Sequence, residues 1–193
     1  MYTEHSIPPV YENGIRVTKL RMLLRKRRVN RKERGIIIMR RADREVTDLE
    51  GKREILNACQ VVHLSAQDSQ GLFVFPVNFG YELEGEKLTL FFHSTPDGRK
   101  AAAFAQPCPA AFAMDCDHRP KLSDTACMHS YFFRSIMGTG TVRTLTDPAE
   151  KIRGLNAIMR QLTGKEWEFP EDRVNATAVF ALTVDEWSAK SKL

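Results

Sequence analysis

The sequence predicts a mainly β domain: an antiparallel sheet of about six strands that can curl into a small barrel, with two or three flanking helices. Three observations carry this. Apolar residues alternate with period two along several runs, most clearly over 72–82, where Phe73, Phe75, Val77, Phe79 and Tyr81 share one face. Successive runs are separated by polar segments of turn length, which join antiparallel neighbours; parallel neighbours need a crossover of a dozen or more residues. Only two segments of any length combine helical spacing with recognisable caps. The chain has 193 residues, 42% of them hydrophobic and 27% charged, which suits one domain with a tail and not a wholly disordered chain.

In chain order, Thr47-Asp48-Leu49-Glu50 forms a capping box with Thr47 at the N-cap, opening a helix that ends near Ala58. Val61–Ala66 is a short strand, and Gln67-Asp68-Ser69-Gln70-Gly71 has turn chemistry. The run from Leu72 to Glu82 follows; Pro76 inside it argues for an edge strand or a bulge. Glu84-Gly85-Glu86 turns the chain into the strand Lys87–His93. An Ala-rich helix then runs to about Ala105 and ends before Pro107 and Pro109. Ala111–Asp117 reads as a strand, Asp117–Asp124 as a polar loop, and His129–Leu145 as a long strand with Gly138 and Gly140 on one face. Something approaches closely at those glycines: a strand, a subunit or a ligand. Asp147-Pro148-Ala149-Glu150 opens the second capped helix, which Gly164 stops, and Thr177–Trp187 is the last strand.

Charge is unevenly distributed. Residues 1–38 hold ten of the 29 Lys and Arg but only three of the 24 Asp and Glu, leaving 19 against 21 in residues 39–193. The body is slightly acidic, and the first fifth carries the excess positive charge. Residues 1–38 admit three readings: a basic arm for nucleic acid or an anionic surface, a disordered extension, or a stretch lying upstream of a translation start at Met39. The third is favoured, because Glu33-Arg34-Gly35 can be encoded by a purine-rich stretch like a ribosome-binding site just ahead of Met39. Nucleic acid is therefore not the expected partner. The longest apolar stretches fall far below a membrane span, no secretory leader opens the sequence, and four cysteines are too few for a disulfide framework. The expectation is a cytoplasmic protein with reduced thiols.

The stretch most suggestive of chemistry is His93-Ser94-Thr95-Pro96-Asp97-Gly98-Arg99-Lys100. A strand ends, a turn bearing two hydroxyls follows, and a helix begins with two cations where its dipole disfavours them. A bound anion resolves that conflict, so Ser94, Thr95, Arg99 and Lys100 form a candidate phosphate cradle; a plain strand-to-helix turn with solvated basic residues is the simpler reading. His93 shares a strand face with Thr89 and Phe91 and is either a satisfied polar residue or a ligand contact and proton donor. The aromatic residues are core by default, although a pocket for a flat ring would need a few of them. Cys116-x-His118 and Cys127-x-His129 could converge on zinc if they lay on neighbouring strands, but the spacing is not that of a finger or knuckle. Neither a GxxxxGK[ST] loop nor a GxSxG or HExxH motif is present.

Several motifs in the right order resemble the 5-nitroimidazole-resistance (Nim) proteins, flavin-binding members of the pyridoxamine 5'-phosphate oxidase-like superfamily. They are Met39-Arg40-Arg41-Ala42-Asp43-Arg44-Glu45-Val46-Thr47-Asp48, Pro76-Val77-Asn78-Phe79-Gly80-Tyr81-Glu82, Phe92-His93-Ser94 with Gly98-Arg99-Lys100, Met114–His118, Arg134-Ser135-Ile136 with Gly138 and Gly140, and Trp187-Ser188 with Lys190. The likeness runs from Met39 to about Lys190. It implies an antiparallel split β-barrel over 39–193, forming a homodimer with FMN at the subunit interface. It places Pro76, Val77, Asn78 and Phe79 along the flavin ring, Ser94, Thr95, Arg99 and Lys100 at its phosphate, and His93 as the active-site histidine that also touches the cofactor. No metal is expected. The implied activity is reduction of nitroimidazole-type compounds with electrons from a donor such as a nicotinamide cofactor. The same superfamily leaves two alternatives: a pyridoxamine 5'-phosphate oxidase-like oxidase or flavin reductase, and a non-catalytic flavin-binding protein.

Overall fold

A computed structural model describes residues 10–12, 15–17 and 41–193. The chain divides into two compact units, Met1–Arg40 and Arg41–Leu193. In the first, β1 (Val10–Glu12) and β2 (Ile15–Val17) pair antiparallel, with Tyr11 opposite Arg16. Otherwise the three readings of residues 1–38 fall outside the described residues.

The second unit is a mostly antiparallel β structure with flanking helices. Its strands are β3 (Glu45–Val46), β4 (Val61–Asp68), β5 (Gly71–Asn78), β6 (Gly80–Glu84), β7 (Lys87–Ser94), β8 (Cys108–Lys121), β9 (Ser130–Leu145) and β10 (Ala178–Lys192). Seven lie in the order β5-β4-β8-β9-β10-β7-β6, and β3 adds to β10 outside that path. The helices are α1 (Leu49–Ala58), α2 (Arg99–Ala103), α3 (Pro148–Thr163) and α4 (Glu171–Ala176).

Local chemistry accounts for most of these boundaries. The N-cap of α1 is Asp48, one residue later than the expected Thr47; its carboxylate accepts the Gly51 N–H at 2.7 Å. An anionic acceptor suits a helix start better than a hydroxyl. Asp147 caps α3 as expected, accepting the Glu150 N–H at 2.9 Å, and Gly164 ends it with φ +73°. Gly85, with φ +57°, turns β6 into β7.

The predicted run over 72–82 is two strands. Period two holds through Phe73, Phe75 and Val77, and the ladder breaks at Phe79, which plunges into the core at 1% exposure. Pro76 does sit on an edge strand, because β5 ends the sheet. The predicted loop 117–124 is largely strand: β8 continues to Lys121 across a bulge between Cys116 and Arg119. Asp117 absorbs the bulge with φ +57°, and its carboxylate takes the Arg134 guanidinium. Likewise β10 runs five residues past Trp187, pairing with β9 as far as Lys192 opposite Phe133.

The core fills the space the sheet encloses. Phe92 and Phe180 stack at 5.0 Å, and the Phe104 and Phe75 rings pack around them. β7 is buried on both faces: Leu88, Leu90 and Phe92 point into this core, while Phe91 lies under α3 with Ala157, Ile158 and Val179. The glycines mark close backbone approaches. A Cβ on Gly80 would sit 2.1 Å from the Ala157 carbonyl carbon, so α3 rests directly on β6. A Cβ on Gly138 or Gly140 would meet the Glu186 or Thr183 carbonyl oxygen at 2.4 and 2.2 Å, where β10 bulges between Val184 and Glu186. What approaches Gly138 and Gly140 is therefore a neighbouring strand.

Candidate functional site

The end of β7 collects most of the residues singled out above. His93 follows the fully buried Phe92, projects to the α3 side beyond the helix, and is exposed. It pairs with Val179 on β10. Crowding by protein atoms, and secondly the Lys100 ammonium, hold its pKa below the ordinary histidine value. The imidazole is therefore neutral near pH 7.

Ser94 ends β7, and Thr95 opens the loop that leads to α2. The Ser94 hydroxyl donates to the Thr95 carbonyl and the Thr95 hydroxyl to the Asp97 carbonyl, both at 2.8 Å. To hold a phosphate, each must exchange a carbonyl acceptor for a phosphate oxygen. Gly98 makes the turn with φ +120°, a conformation L side chains rarely adopt. α2 has only five residues, so its dipole contributes little, and the expected cradle rests on side chains. Phe104, just past the helix, anchors the segment: its ring is fully buried, and its carbonyl accepts the Thr144 hydroxyl at 2.7 Å.

Both α2 cations lean on β5 rings. The Arg99 guanidinium lies 4.0 Å over Phe73, and the Lys100 ammonium 5.4 Å from the Phe75 centroid. Arg99 is also gripped by Asp68, with Nε to Oδ2 at 2.6 Å and Nη2 to Oδ1 at 3.0 Å. The pairing raises the Arg99 pKa and lowers that of Asp68, chiefly through these hydrogen bonds. Asp68 was legible only as turn chemistry, since its Oδ1 also accepts the Gln70 N–H, and nothing local signals a partner 31 residues away.

Pro76, Val77 and Asn78 occupy the far end of β5, and Phe79 forms the corner to β6. Gly80 pairs with Phe91, a register that brings the β5–β6 corner to the His93 end of β7. Pro76 and Asn78 are exposed, and the Asn78 amide donates to the Gln60 carbonyl at 3.2 Å. Val77 is half-buried. The Phe79 ring is buried in the core, which leaves its backbone as the part that could line a flavin ring. The five residue steps from Phe73 to Asn78 span about 17 Å of extended chain. The site is thus an elongated track along an edge strand, cationic at one end and neutral at the other, with His93 beside the neutral end. Two cations and two hydroxyls suit a phosphate, and the outer edge of β5, unpaired among the described residues, offers backbone donors and acceptors to a flat polar ring, so the residues present fit a phosphate-bearing flavin.

The cysteine–histidine pairs do not converge. His118 Nε2 meets Asp115 Oδ2 at 2.6 Å, and His129 Nδ1 accepts the Ser123 N–H at 3.3 Å. Among the described residues no three His, Cys, Asp or Glu side chains gather as metal ligands. A separate cavity of about 230 Å³ lies between α1, β6 and α3, lined by Arg53, Asn57, Tyr81, Arg160 and Gln161. Its polar groups serve packing: the Tyr81 hydroxyl donates to Asn57 Oδ1 at 2.6 Å, and Gln161 Nε2 donates to the Leu56 and Cys59 carbonyls that end α1.

No curated protein matches the sequence. Among solved structures, a candidate 5-nitroimidazole antibiotic resistance protein from Bacteroides thetaiotaomicron VPI-5482 is 26% identical, with TM-score 0.64 over 76% of this chain and 85% of that one. The flavocytochrome Anf3 from Azotobacter vinelandii, 24% identical, has TM-score 0.67 over 81% of this chain and 72% of that one. The FAD and heme binding protein from Mycobacterium smegmatis, 21% identical, has TM-score 0.65 over 77% and 73%. The last two share the fold. The family described as pyridoxamine 5'-phosphate oxidase matches residues 50–191, which include both ends of the track, and the chain belongs to that family.

Proposed function

We propose that the protein is a cytoplasmic flavoprotein that binds FMN along the β5 track and reduces nitro compounds of the nitroimidazole type, with electrons from a nicotinamide-type donor. The observation that carries this reading is the gathering of Ser94, Thr95, Arg99 and Lys100 at and just past the end of β7, against the β5 edge whose other end lies beside His93. The 26% identity to a candidate nitroimidazole resistance protein supports the substrate class. A flavin, when bound, supplies the electron transfer. The chain's own residues do the remainder. Arg99 and Lys100 balance the phosphate charge, and the open edge of β5 addresses the ring with backbone groups. His93, neutral near pH 7, presents a ring N–H as a hydrogen-bond donor to a nitro oxygen.

A homodimer with the cofactor at its interface is part of the proposal. Its support is the apolar outer face of β5, β4 and β9, where Leu72 is 79% exposed, Val74 68%, Met137 42% and Val61 37%. No helix among the described residues is long and apolar enough to cross a membrane.

The test is the visible absorbance of the purified protein, with the released chromophore identified by chromatography, followed by anaerobic incubation with a nitroimidazole and reduced nicotinamide. A yellow protein that releases FMN and consumes the nitro compound is expected. A colourless protein that refuses added FMN defeats the whole reading; a yellow one that leaves the nitro compound intact defeats the reductase part. Full turnover in His93→Ala with FMN still bound would remove the role given to His93.

A further inference from the structure

We infer that Asp68 is a positioning residue for the phosphate end of the site: it holds the Arg99 guanidinium by one edge and leaves the other edge for the cofactor phosphate. The inference rests on the flavin reading above. A guanidinium is planar and presents donors along distinct edges. Asp68 takes the edge formed by Nε and Nη2, at 2.6 and 3.0 Å. One face of the same group lies against Phe73, with Cζ 4.0 Å from the ring centroid. One edge and one face are thereby fixed, and the terminal edge formed by Nη1 and Nη2 remains for a bidentate contact with phosphate.

The carboxylate is itself held. It closes β4 in the turn to β5, accepts the Gln70 N–H at 2.8 Å, and has only 18% of its side chain exposed. Arg99 is 41% exposed, so without this clamp a long side chain would sample many rotamers and lose them on binding. The cost of neutralising one cation is offset by the second: among the described residues Lys100 has no carboxylate within ion-pair distance, so its charge still faces the phosphate. An isolated surface ion pair adds little stability, which leaves orientation as the effect that Asp68 can exert.

The test compares FMN and riboflavin, which differ only in the phosphate. Dissociation constants for both are measured by flavin fluorescence on the full chain, for wild type, Asp68→Ala, Asp68→Asn, Arg99→Ala and the Asp68→Ala/Arg99→Ala double variant. Both Asp68 variants should weaken FMN about tenfold and leave riboflavin unchanged, and the double variant should bind FMN no more weakly than Arg99→Ala alone. Tighter FMN binding in either Asp68 variant would show that Asp68 competes with phosphate and would overturn the inference. Equal losses for FMN and riboflavin, or full additivity in the double variant, would do the same by pointing to a general structural role. If wild type binds both flavins alike, the phosphate site at Arg99 falls, and this inference with it, while flavin binding stands. If wild type binds neither, the proposed function itself fails. Asp68→Asn keeps the side-chain shape and an acceptor, and so covers the case in which Asp68→Ala does not fold.

Discussion

The helices α2 and α3 are held in place by opposite means. α3 has sixteen residues, caps at both ends, and a buried stripe of Gly154, Ala157 and Ile158 laid on β6 and β7. Its position follows from its own sequence. α2 has five residues, no side-chain cap and no buried residue of its own. It is held from outside, by the Phe104 ring beyond its C-terminus and by Asp68 gripping its first residue. The helix that carries its own stability information covers the core, and the one that lacks it displays the cations. A segment needed to present Arg99 and Lys100 cannot also bury them, so its order is supplied by neighbours.

The comparison can be broken at four places, taken from the largest effect down. Phe104→Ala removes the anchor of α2 and opens a cavity among Phe75, Phe92 and Phe180, and should cost about 3–5 kcal/mol in urea unfolding. It should also weaken FMN binding, because the cradle loses its support. Gly80→Ala acts on the other side. The added carbon would lie 2.1 Å from α3 backbone, which cannot rotate away, and a loss of about 3 kcal/mol is expected. Asp147→Ala removes the α3 cap and should cost about 1 kcal/mol, with FMN affinity unchanged. A change in FMN affinity there would mean that α3 and the cradle are coupled.

The smallest effect is a pH dependence at His93. Its folded pKa lies below the unfolded value of about 6.5, so the unfolded chain binds the proton more readily. Stability from this group is present above pH 6.5 and is lost as pH falls through that value toward the folded pKa. Wild type should therefore lose more stability than His93→Gln between pH 7.5 and 5.5, read as the shift in urea midpoint. Equal losses would place His93 in an environment no different from solvent.

Much of this was legible in the chain. The capped helix at Asp147, the hairpin at Gly85 and the edge placement of Pro76 follow from local chemistry that a few residues define. The Ser94-to-Lys100 cluster was legible too, because its residues are adjacent in sequence and a turn brings them together. The late part of β10 was not. Ser188 to Lys192 are small or charged and show no apolar alternation that would extend the strand, yet they pair with β9 and β3 across long separations. Nor was the break at Phe79, since period two continues through it on paper while the backbone turns into a second strand.

By itself, the sequence determined the antiparallel character of the sheet, the two capped helices and the place where cations and hydroxyls gather, because each depends on spacings of a few residues. Only the tertiary structure decided that the strand run breaks at Phe79, that Gly138 and Gly140 make room for β10, and that Asp68 holds Arg99. Those outcomes depend on which distant strands become neighbours. Groups 31 to 48 residues apart acquire a defined distance only once the sheet has formed around its phenylalanine core.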